Sequence, residues 1–201
     1  MIERYTLTSS GGLPATSPRY NIAHGLLVPV VAGGTASLMR WGMLRPWRGH
    51  GGKRGPMIYA ASLDTVDDTP ILRAARKKQR CAVLADGFFV WQGKQPRWCH
   101  PERRRVIAFA GLWHTNPDDD QPSFVILHDT APPLVAAFGA ESPIVIEDRE
   151  PWLASGELVH ALANGLPGWR ADAVSTWVNR EDHDDPRCIE PLGNLAQGEL
   201  F

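Results

Sequence analysis

Short apolar runs separated by turn residues dominate the chain. Residues 26–32 form one such run, Gly33-Gly34 follows it, and residues 36–41 form a second run. Two apolar runs joined by two glycines predict a β-hairpin, because glycine tolerates the backbone angles of a tight turn. Further apolar runs predict additional strands at residues 97–100, 105–113, 123–127 and 143–146.

The stretch from Arg80 to Trp91 has the strongest pattern in the chain. An apolar run leads to Asp86-Gly87, and a run of aromatic and β-branched residues follows. Aspartate bonds to nearby backbone groups and glycine accepts positive φ, so the pair is typical of a turn. This stretch therefore predicts a second hairpin, around which the remaining elements can be arranged.

Signals for helices are fewer than signals for strands. Asp68-Thr69-Pro70 supplies an N-cap and a first-turn proline, which predicts a helix to about Gln79. Asp148 predicts the start of a second helix, and residues 157–163 predict a third helical piece. The tail is expected to fold back on the protein, because Val178, Cys188 and Ile189 need a core.

The balance of these elements predicts one fold class for the whole chain. At least eight strands against three helices indicate a β-rich α+β fold, as a partly open barrel of antiparallel strands with a few flanking helices. The length of 201 residues suits a single domain over residues 1–201. The 19 glycines and 17 prolines agree with many turns.

Composition limits the compartment and the cofactors. The longest apolar runs are far shorter than a membrane span, and Met1-Ile-Glu-Arg-Tyr has no hydrophobic signal region, so we expect a soluble, cytoplasmic protein without a membrane partner. Cys81, Cys99 and Cys188 are widely spaced and are expected to be buried apolar residues rather than disulfides. The seven histidines show no metal-binding spacing, so the sequence predicts no metal and no cofactor.

Charge is unevenly distributed along the chain. The net charge is −1, but residues 40–105 hold 15 Lys and Arg against five acidic residues, a balance of +10, and the remainder carries −11. The glycine-rich loop at 41–56 alternates Trp41 and Trp47 with cations. Stacking rings beside cations are typical of single-stranded nucleic acid binding. A solvated helix face, with tryptophans that close the edge of the core, would give the same pattern.

Motifs in a consistent order along nearly the whole chain resemble the SRAP (SOS-response-associated peptidase) family, whose members act on abasic sites in single-stranded DNA. The matching motifs are Arg4-Tyr5, Arg19-Tyr-Asn-Ile-Ala, Trp41-Gly42 with Trp47, Arg80-Cys81, Ala85-Asp-Gly-Phe-Phe with Trp91, Lys94-Gln-Pro, Ala110-Gly-Leu-Trp, Pro143-Ile-Val-Ile, Val178-Asn179 and the 184–191 tail. The resemblance implies a groove for single-stranded DNA. Six residues would stand in that groove: Arg4, Asn21, Trp41, Trp47, Arg48 and Arg80.

The resemblance also implies four catalytic positions, and none of them holds the family's residue. The family's nucleophile is a cysteine at position 2, exposed by removal of the first methionine, where this chain has Ile2. The family's proton-shuttling glutamate aligns with Val90, its sugar-holding asparagine with Tyr59, and its histidine with Gly139. We therefore assign no catalytic residue to this chain, and we expect a pseudoenzyme that has lost the covalent step.

Three functions remain open from the sequence. The first is a protein of the DNA damage response that binds single-stranded or abasic DNA noncovalently. The second is an abasic-site processing or peptidase-like enzyme that uses other residues in the same cleft, with Glu3, His128 and Glu141 as candidates. The third is a phage- or repair-associated module that binds a protein partner.

Overall fold

The structure, a computed structural model, describes residues 2–9, 17–44, 56–115, 120–139, 141–158 and 168–195. Strands are the main elements of these ranges: β1 (Tyr5–Leu7), β2 (Arg19–Ile22), β3 (Leu27–Ala32), β4 (Thr35–Trp41), β5 (Met43–Leu44), β6 (Met57–Ile58), β7 (Ala60–Ser62), β8 (Arg80–Ala85), β9 (Gly87–Gln92), β10 (Gln95–Pro101), β11 (Ile107–Thr115), β12 (Pro122–Thr130), β13 (Glu141–Pro143), β14 (Val145–Ile146) and β15 (Trp169–Ala173). The helices are short: α1 (Pro70–Lys78), α2 (Pro133–Ala136), α3 (Arg149–Ser155) and α4 (Leu192–Leu195), with 3₁₀ turns at Val66–Asp68, Thr176–Asn179 and Pro186–Ile189.

Five strands pair in a closed ring. β3 pairs with β4 and β8, β8 with β11, β11 with β12, and β12 returns to β4 as the parallel pair. β7, β13 and β14 extend this sheet at β12 and β11. The predicted β-rich α+β fold with a barrel and flanking helices is confirmed. The barrel was predicted to be partly open, whereas the pairing of β12 with β4 closes it.

A second sheet lies beside the barrel, with strand order β15-β10-β9-β1-β2. Its own small core joins Phe89 and Trp98 to the tail residues Val178, Cys188 and Ile189. The prediction that the tail folds back on a core is confirmed. This core matters for the site, because it fixes β9 and β10 against the tail.

The first predicted hairpin is confirmed. β3 and β4 pair antiparallel with Ala32 opposite Thr35, and Gly33 and Gly34 form the connection. Both glycines have positive φ, at 56° and 78°. Glycine is favoured at both central positions of such a turn because a side chain would strain this backbone.

The second predicted hairpin is wrong. β8 pairs with β3 and β11 in the barrel, whereas β9 pairs with β1 and β10 in the second sheet. Asp86-Gly87 is the point where the chain crosses between sheets. The Asp86 carboxylate accepts hydrogen bonds from Thr6 Oγ1 at 2.5 Å and from Thr8 N at 2.6 Å. The Asp86 side chain therefore holds β1 against the crossover between the sheets and does not close a tight turn.

The helical predictions are confirmed at two places. Pro70 opens α1 with Thr69 at the N-cap position, and Asp148 caps α3 by accepting a hydrogen bond from Glu150 N at 3.0 Å. The third predicted piece falls mostly on residues 159–163, outside the described part of the chain. No helix within the described ranges has the length and apolar character needed to cross a membrane.

Candidate functional site

A cleft of about 180 Å³ lies where β9 meets the segment between α2 and β13. β9 contributes Val90 and Trp91, the segment after α2 contributes Phe138 and Gly139, and Glu141 begins β13. Glu3, just before β1, completes the wall. Residues from three distant parts of the sequence therefore share one cleft with aromatic and acidic walls.

Two of the four predicted family positions meet in this cleft. Val90 and Gly139 both line the cleft, and neither residue carries an ionisable group. A Cβ built on Gly139 would find Glu141 O at 4.0 Å and no nearer heavy atom outside its chain neighbours. A Cβ at position 139 would therefore meet only an ordinary van der Waals contact.

The other two positions are placed around His24 and do not line the cleft. Ile2 is 3% exposed in the main core, and its carbonyl oxygen lies 3.5 Å from His24 Nε2. The Tyr59 ring stacks on His24 with 4.1 Å between ring centroids. Gly42, with φ of 126°, gives Tyr59 room, since a Cβ there would approach the ring to 2.9 Å. Both side chains are held by packing.

Arg4 and Asn21 belong to a hydrogen-bonded network that holds the tail. Asn21 Nδ2 donates to the carbonyl oxygens of Val178, Arg180 and His183 at 3.1, 2.8 and 2.8 Å. Asn21 Oδ1 accepts from Arg4 Nη1 at 3.2 Å. Every polar atom of the Asn21 side chain is therefore used within the protein.

Trp41 and Arg80 lie apart from the cleft and have internal partners. Trp41 is fully buried, and its indole Nε1 donates to Tyr59 O at 2.9 Å. Arg80 donates to backbone carbonyls at the ends of two helices, including Arg76 O at 2.9 Å and Trp152 O at 2.9 Å. Trp47 and Arg48 lie outside the described residues. Assignment of DNA contacts to this set stays a prediction.

The family follows from comparison of the whole sequence. The sequence profile of the family described as "SOS response associated peptidase (SRAP)" matches residues 3–181. The chain belongs to the SRAP family.

Named relatives of this SRAP protein share about a quarter of its residues. It is 26% identical over 193 residues to "Abasic site processing protein YoqW" of Bacillus subtilis, covering 86% of each chain. It is 25% identical over 193 residues to "Abasic site processing protein HMCES" of Gallus gallus, covering 77% of this chain and 56% of that relative. All of the cleft residues fall within the matched SRAP region.

Solved structures share the fold. A crystal structure of a protein from Bordetella bronchiseptica superposes with a TM-score of 0.70 at 18% identity, covering 86% of this chain and 99% of that one. A phage-related protein from the same organism gives a TM-score of 0.62 at 21% identity, covering 86% and 93%. The chain thus shares its fold with these solved structures over most of its length.

The candidate substitute residues partly converge. Glu3 and Glu141 line the cleft, and His128 Nδ1 lies 3.5 Å from Glu141 Oε2 without a hydrogen-bond partner. Burial lowers the pKa of His128, and the Glu141 carboxylate opposes that shift. A buried imidazole that is neutral beside a carboxylate is chemically able to accept a proton.

The cysteines offer no replacement nucleophile in this SRAP cleft. All three are buried, which confirms the prediction from their spacing. Burial raises the pKa of Cys99 to about 12, and it also raises the pKa of Cys188. Since the thiolate is the nucleophile, these thiols are inert. Among the described residues, no three His, Cys, Asp or Glu side chains come together in a way that could hold a metal ion.

Sequence reasoning missed three residues that shape the cleft. Asn179 Oδ1 accepts a hydrogen bond from Trp91 Nε1 at 2.8 Å and so fixes one wall. Phe138 forms another wall, and the guanidinium of Arg97 lies over its ring at 4.4 Å from the centroid. The Val178-Asn179 motif was a usable signal for Asn179, whereas nothing in the pattern around Phe138 singled it out.

We expect acid to destabilise the fold partly through His24. Burial is the main cause that lowers the pKa of His24 below its ordinary value of 6.5. Below pH 6.5 the imidazole of His24 is protonated in the unfolded chain before it is protonated in the folded chain. The free energy of unfolding therefore decreases as the pH falls. Urea unfolding at pH 7 and pH 5 should show a smaller loss for His24→Phe, which keeps a ring but cannot ionise. An equal loss in His24→Phe and wild type would contradict this role.

Proposed function

We propose that this SRAP protein binds single-stranded or abasic DNA noncovalently in the DNA damage response and does not form the family's covalent link. The observation that carries the proposal is the cleft wall, where Val90 and Gly139 stand at positions that the resemblance assigns to a proton-shuttling glutamate and a histidine. Neither residue can transfer a proton. Ile2 supports the same conclusion, since a buried apolar side chain supplies no nucleophile.

Binding of a polyanion is supported by the charge distribution and by the relatives. Residues 40–105 carry a balance of +10, and cations that neutralise phosphates release counterions and so favour binding at low salt. Relatives of this chain carry the name abasic site processing proteins. The six-residue set of Arg4, Asn21, Trp41, Trp47, Arg48 and Arg80 remains the proposed groove, with Asn21, Trp41 and Arg80 acting through the backbone that they hold.

The binding test uses a fluorescent single-stranded oligonucleotide with and without a central abasic site. We expect binding to both, weaker by about tenfold at 200 mM than at 50 mM salt, because the counterion release produced by several phosphate contacts is less favourable at higher salt. Absence of binding at 50 mM salt, or binding that does not change with salt, would contradict the proposal.

An enzyme with a substituted residue set is the second candidate function. His128 and Glu141 favour it, because the buried Nδ1 of His128, which has no hydrogen-bond partner, lies 3.5 Å from Glu141 Oε2 at the cleft wall. Such a pair could take the C2′ proton beside the abasic aldehyde, so that a carbon–carbon double bond forms, the C3′–O bond breaks and the 3′ phosphate leaves with the cleaved strand. Strand scission of the abasic oligonucleotide by wild type, lost in His128→Gln, would favour this function over simple binding.

A further inference from the structure

Arg97 is an incompletely satisfied cation beside the cleft. Its side chain is half-buried, its Nε is buried without a hydrogen-bond partner, and Nη1 makes one long bond of 3.4 Å to Ala171 O. No carboxylate oxygen among the described residues lies within 4.0 Å of its guanidinium. The buried Nε is out of reach of a ligand, but the terminal nitrogens make only this one long hydrogen bond to the described part of the chain, so an anion that accepts from them would bind favourably.

The strand register places Arg97 on the cleft side of the sheet. Arg97 of β10 lies directly opposite Val90 of β9, and side chains of directly opposed residues project from the same face. Val90 lines the cleft, and so does Phe138, whose ring lies under the guanidinium. Two independent contacts therefore bring this cation to the cleft wall.

The charges around the cleft determine which ligand the guanidinium suits. Guanidinium groups bind phosphates through paired, charge-assisted hydrogen bonds. Glu3 and Glu141 line the same cleft and repel phosphate. A DNA strand is thus attracted on the β10 side of the cleft and repelled on the side of these carboxylates, which would orient the strand.

We propose that Arg97 binds a backbone phosphate of the DNA strand at the wall of the cleft, an inference that rests on the proposed DNA-binding function. Val90 has a specific part in this contact. A glutamate at position 90 would lie opposite Arg97 and neutralise it, whereas valine leaves the guanidinium available for a ligand. Replacement of the family's glutamate by Val90 would then leave Arg97 available as a phosphate-binding cation.

The first test compares Arg97→Gln with Arg149→Gln, which removes one exposed cation from α3. With the single-stranded oligonucleotide at 50 mM salt, R97Q should weaken binding by about tenfold. The slope of log affinity against log salt should be smaller in magnitude by about 0.7 for R97Q than for wild type, the contribution of one phosphate on a single strand. R149Q should match wild type. If wild type binds with a salt slope and R97Q behaves identically, the assignment of Arg97 is overturned while the proposed function stands.

A second pair of variants keeps the inference testable if R97Q does not fold. Val90→Glu places a carboxylate opposite Arg97 and should weaken binding as R97Q does, and it should weaken binding more than Val90→Gln, which has the same size without the charge. The effect of V90E should shrink in the R97Q background, because a coupling between two residues disappears when one is removed. Equal binding by V90E and V90Q would overturn the inference, and failure of wild type to bind at all would remove the proposed function with it.

Discussion

Gly87→Ala is expected to destabilise the protein by about 3 kcal/mol, the upper end for overpacking a well-filled core. A Cβ at position 87 would lie 2.8 Å from Trp98 Cε2 and 2.9 Å from Cys99 O. Neither neighbour can move easily, because Trp98 is 1% exposed in the second core and Cys99 is in the centre of β10. Urea unfolding at pH 7 measures the change.

Gly139→Ala is the matched control for this substitution. Position 139 has ordinary backbone angles, and its added Cβ would meet only Glu141 O at 4.0 Å. Its free energy of unfolding should stay within about 0.5 kcal/mol of wild type. Equal stability of G87A and G139A would show that close packing at the sheet crossover has been misassigned.

Asp86→Ala is expected to cost roughly 3 kcal/mol, because a buried carboxylate that accepts several hydrogen bonds would be lost. Asp86 is 5% exposed and accepts from Thr6 Oγ1 at 2.5 Å and from Thr8 N and Oγ1 at 2.6 and 2.5 Å. Its removal leaves the Thr8 N–H unsatisfied and releases β1 from the crossover.

Asp86→Asn separates the charge from the shape of this side chain. The amide keeps one acceptor oxygen but turns an N–H₂ group toward threonine donors, so we expect an intermediate loss of stability. Denaturant unfolding of D86A and D86N against wild type gives the order. A D86A variant within 1 kcal/mol of wild type would contradict the role assigned to the carboxylate.

The local pattern predicted the elements better than their pairing. Gly33-Gly34 identified a hairpin because the turn and both strands are adjacent in sequence. Asp86-Gly87 carries a similar signal, yet Asp86 bonds to Thr6 and Thr8, which are 80 and 78 residues away along the chain, and Gly87 packs against Trp98 of β10. A turn motif reports backbone preference, and only tertiary contacts decide whether the chain reverses or crosses between sheets.

For the candidate site, too, individual positions were predicted from the sequence, whereas their tertiary contacts were not. The resemblance to the SRAP family identified Val90 and Gly139, which the structure brings to one cleft. Arg97 could not be selected from the sequence, because its position depends on the register of β10 against β9 and on a short segment after α2. Arg80 shows the opposite case, since a cation predicted for a groove donates to backbone carbonyls of two helices.

Noncovalent and covalent binding can be distinguished in a single reaction of wild-type protein with abasic single-stranded DNA. Half of the sample is run on a native gel at low salt, and half is denatured with heat and detergent before electrophoresis. Noncovalent binding predicts a shifted band in the native lane and free DNA of full length in the denatured lane. A shifted band that survives denaturation would contradict the account, because it would show that the covalent step persists in spite of Ile2, Val90 and Gly139.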